Sequence, residues 1–182
     1  LSGEQSLMSP VYSPSGDRIA YHVDFEGDED HDVVVVGADG KGAKKLTDSV
    51  EDNYSPEFSP DGEWVAFLSN RDGDIDNLFI IGSRGGKLSK VTDEDLPVKR
   101  FAWSPRGDAI AYETGVGDDD FISLASTTKM RTKKVLAKKN VEHSLVGDFG
   151  SAHPWFSDGR RLLFVSNEND AVDIGELDIA SR

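Results

Sequence analysis

The chain of 182 residues contains no cysteine, which excludes disulfide bonds, thiolate metal sites and a cysteine nucleophile. It has few basic residues: 34 aspartates and glutamates outnumber 20 lysines and arginines. The resulting net charge of −14 argues against nucleic-acid binding and favours basic partners. No apolar run approaches the roughly 20 residues that span a bilayer, so we expect no membrane insertion. Because Leu1 is neither an initiator methionine nor part of a signal peptide, we interpret it as a cut start of a soluble cytoplasmic, periplasmic or extracellular protein.

Sequence signatures of catalysis are also missing. The chain has no Gly-x-Ser-x-Gly nucleophile elbow and no His-Glu-x-x-His zinc motif. The stretch GSRGGKLS from Gly82 contains a Gly-Lys pair, but Leu88 stands where a phosphate-binding loop needs Ser or Thr. We therefore predict no catalytic residues, no cofactor and no enzyme activity for this chain.

What the sequence does contain is an internal repeat. Four segments align on one turn: VYSPSGDRIAYHV from Val11, EFSPDGEWVAFLS from Glu57, FAWSPRGDAIAYET from Phe101 and PWFSDGRRLLFVS from Pro154. Placing the turn serines at Ser13, Ser59, Ser104 and Ser157 gives spacings of 46, 45 and 53 residues. Periods of this size are typical of repeat architectures, and a turn that recurs four times is scaffolding rather than an active site.

Each repeat carries the same succession of strand signals. A short run before the turn predicts strand A, and the nearly continuous apolar run after it predicts a strand B that is buried on both faces. Beyond an aspartate-rich loop, β-branched and aromatic residues predict strand C, and a glycine-containing turn leads to strand D. The predicted strands are 11–12, 57–58, 102–103 and 155–156 for A; 19–23, 64–68, 109–112 and 162–165 for B; 33–36, 78–81 and 121–124 for C; 44–47, 88–92 and 132–136 for D.

Four antiparallel strands in about 45 residues, repeated and buried on both faces, predict an all-β protein with the blades of a β-propeller. A β-sandwich is the alternative, but its strands would alternate polar and apolar residues. We expect residues 1–182 to form a single partial propeller domain with repeats at about 8–53, 54–99, 100–150 and 151–182. The last repeat lacks strand D. We therefore expect an excerpt of a larger ring, or a partial propeller that self-associates to complete it.

The second repeat also carries a family resemblance. Its sequence SPDGEWVAFLSNRDGDIDNLFII resembles the WD40-like repeat of TolB-type propellers, the tricorn protease propeller and the N-terminal propellers of the prolyl oligopeptidase family. The resemblance covers nearly the whole chain, and for function it implies three alternatives. The chain could be the substrate-gating propeller of a serine peptidase, a TolB-type envelope interaction protein, or a channel-metal lyase related to oligogalacturonate lyase.

Acidic segments occupy the B-to-C connection of every repeat: FEGDEDHD from Phe25, NRDGDID from Asn70, GVGDDD from Gly115 and ENDAVD from Glu168. Asp72, Asp74 and Asp76 have the spacing of the first three ligands in an EF-hand calcium loop. However, Asn77 stands where that loop needs glycine, and Ser83 stands where it needs glutamate. Calcium is therefore a weak alternative to solvated carboxylates.

Summing charge by loop type gives a stronger prediction. In an up-and-down blade the B-to-C and D-to-A connections emerge at one end, and the other connections emerge at the opposite end. The first set holds 23 acids and 4 bases, and the second holds 6 acids and 12 bases. We therefore predict an acidic face that attracts a basic protein or polypeptide. The predicted partner-binding residues are Asp28, Asp30, Asp72, Asp74, Asp118, Asp119, Asp120, His143, Asp148 and Asp170.

The longest departure from the repeat period is AKKNVEHSLVGDFG from Ala137, which we predict to be a long D-to-A loop with His143 and Asp148 as its polar candidates. His153 is expected beside it at the mouth of the central channel. The resemblance to oligogalacturonate lyases, whose channel histidines surround a metal, makes His153 a weak candidate metal ligand. A structural histidine is the alternative.

A basic run, KMRTKKVLAKK from Lys129, resembles a nucleic-acid patch when it is taken alone. It coincides with the predicted outer strand of the third repeat, where lysines block edge-to-edge pairing. We interpret it as edge-strand protection.

Overall fold

The computed structural model describes residues 7–25, 30–117, 119–138, 140–147, 153–168 and 171–181. In these ranges the chain forms β-strands in four antiparallel sheets and one short 3-10 segment, Ile179–Ser181. None of the described segments is a helix long and apolar enough to cross a membrane. The chain divides into two compact units, Leu1–Asp93 and Glu94–Arg182.

Each unit contains two sheets whose strands follow one another in chain order. The sheets of the first unit are β1 (Leu7–Tyr12), β2 (Arg18–Asp24), β3 (His31–Gly37) and β4 (Lys44–Lys45), then β5 (Asn53–Phe58), β6 (Trp64–Ser69), β7 (Asn77–Gly82) and β8 (Ser89–Lys90). The sheets of the second unit are β9 (Val98–Trp103), β10 (Ala109–Val116), β11 (Asp119–Ser126) and β12 (Arg131–Leu136), then β13 (His143–Leu145), β14 (Arg161–Ser166) and β15 (Asp173–Asp178).

The predicted all-β architecture and the A-B-C-D order of the strands are confirmed. Strand B is as buried as strand C in the first two sheets and is the most buried strand of the third, because its continuous apolar run packs on both faces. Strands β4 and β8 have only two residues each and are shorter than predicted. Lys45 of β4 pairs with Asp32, and Lys90 of β8 pairs with Asp72. Strand D is therefore a basic edge strand in both sheets of the first unit.

The turn between strands A and B has the same hydrogen bonds in each sheet, and these bonds correct the alignment of the fourth repeat. Backbone N–H groups of Ser13, Ser59 and Ser104 donate to the carbonyls of Arg18, Trp64 and Ala109. In the fourth sheet the equivalent bond runs from Phe156 to Arg161, at 2.9 Å. Phe156, and not Ser157, therefore occupies the position of the turn serine, and the predicted equivalence of Ser157 is off by one residue.

The first strand of the fourth sheet also differs from the prediction. Residues 143–145 form β13, where the sequence predicted a long loop, and they pair with Ser166, Val165 and Phe164. Among the described residues, Trp155 also pairs with β14, opposite Leu162. In the first two sheets the strand is interrupted at the corresponding place by Ser9-Pro10 and Ser55-Pro56. Described residues on both sides of the extra sequence in the fourth repeat thus pair with the same strand.

Each unit has its own apolar core. In the first unit, nine buried residues from both sheets form one cluster that includes Val33, Phe67 and Phe79. The rings of Phe67 and Phe79 stack at 6.2 Å, and the Arg71 guanidinium lies 5.8 and 5.2 Å from their centres. In the second unit, Ile122, Leu145 and Trp155 belong to a cluster that joins the two sheets.

Candidate functional site

The B-to-C and D-to-A connections meet at the same end of each sheet in the first unit. Lys90 on β8 bridges Asp72 of the B-to-C loop at 3.1 Å and Asp93 of the D-to-A loop at 2.6 Å. In the first sheet, Lys45 on β4 bridges Asp32 at 2.8 Å and Asp48 at 3.1 Å. In the second sheet a strand D lysine therefore connects the two acidic connections of that end, and in the first sheet it connects the D-to-A connection to Asp32 at the start of strand C.

A pocket of about 270 Å³ opens at this acidic end of the first sheet. Its lining residues are Phe25, Asp30, Asp32, Lys45, Asp48, Ser49 and Val50. The Lys45 ammonium lies 4.2 Å from the centre of the Phe25 ring, in cation–π contact, while Asp32 and Asp48 accept its hydrogen bonds. Aromatic and carboxylate groups together thus form a cage around an ammonium group.

Asp32 is the fixed part of this cage. It is 6% exposed, and the Thr47 hydroxyl donates to its Oδ1 at 2.8 Å, while the Val33 N–H donates to the Thr47 hydroxyl at 2.9 Å. The hydrogen bond from Lys45 to Asp32 raises the pKa of the lysine above its ordinary value. Asp48, in contrast, has an 85% exposed side chain and is open to a partner.

The second acidic connection lies at the same end of the neighbouring sheet. Asp72 and Asp74 are exposed, and Asp72 is paired with Lys90. Asp76 is half-buried. Burial raises the pKa of Tyr54, and the hydrogen bond between the Tyr54 side chain and the Asp76 carboxylate raises it further. Within the described ranges no three His, Asp or Glu side chains converge where a metal ion could be held. Calcium binding by Asp72, Asp74 and Asp76 stays the weaker alternative to solvated carboxylates.

The third acidic segment, predicted as the loop 115–120, is mostly strand. β10 runs to Val116 and β11 begins at Asp119, so the two strands form a tight hairpin. Asp119 accepts a hydrogen bond from the Asn140 N–H at 2.6 Å. Asp120 is only 5% exposed and pairs with Lys99 at 2.5 Å. The lysine neutralises Asp120 and permits its burial, so this carboxylate does not contribute to an open acidic surface.

The two candidate histidines lie in different surroundings. His143 is 3% exposed on β13, against the Phe164 ring at 5.9 Å, and burial lowers its pKa. His143 is therefore a buried strand residue rather than the exposed loop residue expected from the sequence. His153 is exposed, and its Nδ1 accepts a hydrogen bond from the Trp155 N–H at 3.3 Å. Asp28, Asp118, Asp148 and Asp170 lie outside the described residues.

A polar cluster between the two sheets of the first unit has no signal in the sequence. The His22 ring is 7% exposed and packs edge-on against His31 at 5.4 Å and Tyr54 at 6.4 Å. His31 Nδ1 lies 2.8 Å from the Asp52 carboxylate, whereas His22 Nδ1 has no hydrogen-bond partner among the described residues. Burial and, to a smaller extent, the nearby His31 lower the pKa of His22 to about 4. Each residue belongs to a different strand or loop, so only the fold brings them together.

Successive antiparallel sheets of four strands, followed by one of three strands among the described residues, define a protein of the β-propeller class. A family model for the TolB β-propeller domain matches residues 2–148, and the chain belongs to this family. Among curated proteins, no match was found.

Solved structures with the same fold include three different kinds of protein. The chain is similar to a putative TolB from Agrobacterium tumefaciens, with 19% identity over 91% of this chain and 57% of the other, at a TM-score of 0.63. A prolyl endopeptidase is 11% identical over 97% of this chain and 27% of its own, at 0.75. An oligogalacturonate lyase in complex with manganese is 14% identical over 95% and 48%, at 0.71. The chain thus spans little more than half of the TolB chain and less of the enzymes, and these identities establish the fold alone.

Proposed function

We propose that this chain is a non-catalytic β-propeller module that binds basic polypeptide segments at the acidic end of its first unit. The observation that supports the proposal is the pocket in which Asp32, Asp48 and Phe25 surround an ammonium group. The Lys45 ammonium held in this pocket supports a preference for cationic groups. A partner's lysine or arginine would pair with the exposed carboxylate of Asp48.

Charge and shape both favour an additional cation. The pocket holds three aspartates against one lysine, so its net charge is negative even with Lys45 in place. Val50, 79% exposed at its rim, offers an apolar surface for the aliphatic stem of a basic side chain. A volume of about 270 Å³ fits a side chain and is small for a whole organic substrate, since such pockets usually measure at least about 300 Å³.

Binding of basic polypeptide segments fits two of the three functional alternatives that the family resemblance implies. A propeller that restricts access to a peptidase domain and a propeller that serves as an envelope interaction platform both recognise polypeptides. The acidic end supports recognition in either setting. In each, positively charged segments would be attracted from a distance and held at the rim.

The test is binding of a fluorescein-labelled peptide of alternating lysine and glycine, measured by anisotropy. We expect binding that weakens as salt rises, because the attraction is screened within about 10 Å at 0.1 M salt. Asp48→Asn should weaken binding about fivefold at low salt, the upper range for one exposed ion pair.

The matched control is Asp39→Asn. Asp39 is also exposed and paired with a lysine, Lys41 at 3.7 Å, but it lies on the C-to-D connection at the other end of the same sheet. This control should bind like the unchanged protein. Equal effects of the two substitutions, or binding that does not respond to salt, would contradict the proposed site.

A further inference from the structure

The second unit contains a hairpin without carboxylates. Residues 121–141 hold six lysines and arginines and no aspartate or glutamate, although acids outnumber bases in the whole chain. This is the longest acid-free stretch of the sequence. Its first part, residues 121–136, forms the greater part of β11, a turn and β12, and we call it the basic hairpin.

Three bases of the basic hairpin have no acidic partner. Lys129, Arg131 and Lys133 are exposed, and none of them forms an ion pair with a described residue. Basic side chains that do pair with carboxylates include Lys41, Lys45, Lys90, Arg106, Lys138 and Arg161. Since acids are in excess in this chain, the three bases are unpaired because the fold keeps the described carboxylates away from them. They are therefore available to carboxylates of another molecule.

Arg131 and Lys133 lie on one face of β12. Successive residues of a strand point to opposite faces, so these two side chains share a face and are about 6.8 Å apart along the strand. Lys134 belongs to the other face, where its ammonium lies 4.1 Å from the centre of the Phe121 ring in cation–π contact. One face of β12 thus presents two unpaired cations at an interval of two residues.

Hydrogen bonds hold the turn of the basic hairpin in place. The Met130 N–H donates to the Ser126 carbonyl at 2.9 Å and closes the turn. The Thr127 hydroxyl donates to the Gly107 carbonyl at 2.8 Å, and the Thr127 N–H donates to the Asp108 carbonyl at 3.2 Å. The turn between β9 and β10 therefore anchors the hairpin, and a partner would bind these bases with little additional ordering of the backbone.

The interval between Arg131 and Lys133 fits an extended acidic polypeptide. Alternate side chains of an extended chain lie on one side, also about 6.8 Å apart, so two carboxylates separated by one residue would meet both bases at once. The arginine guanidinium donates two parallel hydrogen bonds to a carboxylate, and the lysine ammonium adds a second ion pair.

Nucleic acid fits this surface less well. Non-specific binding of single strands needs aromatic rings on which the bases stack, and the ring of Phe121 in the basic hairpin is already in contact with Lys134. The net charge of −14 also repels a long polyanion. A short acidic segment is attracted mainly by the nearest cations, because salt screens charges beyond about 10 Å at 0.1 M.

We propose that the basic hairpin binds an extended acidic segment of a partner polypeptide, in which glutamate or aspartate alternates with other residues. Two of its carboxylates pair with Arg131 and Lys133, and Lys129 attracts the segment from the adjoining turn. The same bases repel other basic edge strands, so edge-strand protection and recognition of an acidic segment are compatible. This surface lies in the second unit and does not depend on the acidic pocket of the first.

The test uses the full chain and two peptides that carry a neutral fluorophore, with binding measured by anisotropy. The peptide GEGEGEGEG has glutamate at alternate positions, whereas EGGEGGEGGE has the same number of glutamates at every third position. We expect GEGEGEGEG to bind several-fold more tightly, because only its carboxylates match the interval of Arg131 and Lys133. Its binding should weaken as salt rises.

Substitutions locate the site on one face of β12. Lys133→Gln should weaken the binding of GEGEGEGEG about threefold, and the double variant Arg131→Gln/Lys133→Gln about tenfold. Lys134→Gln removes the same charge from the opposite face of the same strand. Lys87→Gln removes an exposed lysine of the second sheet that also has no ion pair with a described residue. Both controls should bind like the unchanged protein.

Three results would overturn the proposal. Equal binding of the two peptides, or equal effects of Lys133→Gln and Lys134→Gln, would reduce the attraction to non-specific charge. Tighter binding of a labelled oligothymidylate than of GEGEGEGEG would assign the surface to nucleic acid. Self-association in sedimentation that both Asp48→Asn and Lys133→Gln abolish, without peptide binding, would assign it to the acidic pocket of a second copy of this chain.

Discussion

Replacing Phe67 by alanine should lower the free energy of unfolding of the first unit by about 4 kcal/mol. The Phe67 ring is fully buried in the cluster between the two sheets of this unit and stacks on Phe79. Its removal loses both the transfer of the ring out of water and the packing around the cavity that remains. Urea unfolding monitored by circular dichroism measures the change.

Phe67→Ala should also make the acidic loop of residues 70–76 more mobile. Arg71 lies over Phe67 and Phe79 and donates to the Ser69 hydroxyl at 3.1 Å, which fixes the start of the loop that carries Asp72 and Asp74. Hydrogen exchange of residues 70–76 should therefore accelerate beyond the global effect. Trp64→Ala is the control, because Trp64 lies on the same strand but is 42% exposed, and it should cost about 1 kcal/mol. Similar losses for both variants would contradict the assignment of Phe67 to the core.

Acid should destabilise the first unit through His22. The folded pKa of about 4 lies below the ordinary value of 6.5, so the unfolded chain binds the proton more tightly. The contribution to stability is complete above about pH 6.5 and is lost as the pH falls toward 4. The difference between the two pKa values corresponds to about 3 kcal/mol.

His22→Leu isolates this contribution from that of the carboxylates, which titrate over part of the same range. The ring has no hydrogen-bond partner at Nδ1 among the described residues, and leucine replaces it without leaving a polar group unpaired. The difference in unfolding free energy between pH 7 and pH 4 should be about 3 kcal/mol smaller in the variant than in the unchanged protein. The same acid sensitivity in both would assign the effect to His31, Asp52 or other groups.

The repeats, the strand order and the buried B strands could be predicted because each depends on residues that are close together in the sequence. A Ser-Pro-x-Gly turn followed by a continuous apolar run determines a hairpin and a doubly covered strand without reference to the rest of the chain. The sharing of one end by the B-to-C and D-to-A connections could also be predicted, since the strand order alone decides which connections share an end.

Features that depend on contacts between segments far apart in the sequence could not be predicted. The fourth turn could not be placed correctly from its serine, because Phe156 makes the backbone hydrogen bonds that serine makes elsewhere. The aspartates before Phe121 have the composition of a loop, but Asp119 and Asp120 lie in β11. Lys99, about twenty residues earlier in the chain, neutralises Asp120 there, and the sequence does not reveal this pairing. His22, His31 and Tyr54 meet only when two sheets pack, and nothing in their spacing indicates a cluster.

The different lengths of sequence between paired residues of the first strand have a practical consequence for protein engineering. Leu145 and Trp155 both pair with β14 although they lie ten positions apart, whereas the corresponding interruption in the first two sheets holds only a serine and a proline. Pairing on both sides thus tolerates additional sequence at this point of the repeat. Foreign epitopes or affinity tags grafted at Ser9-Pro10, which are both exposed, should be displayed without unpairing β1 from β2, because residues on both sides pair with β2.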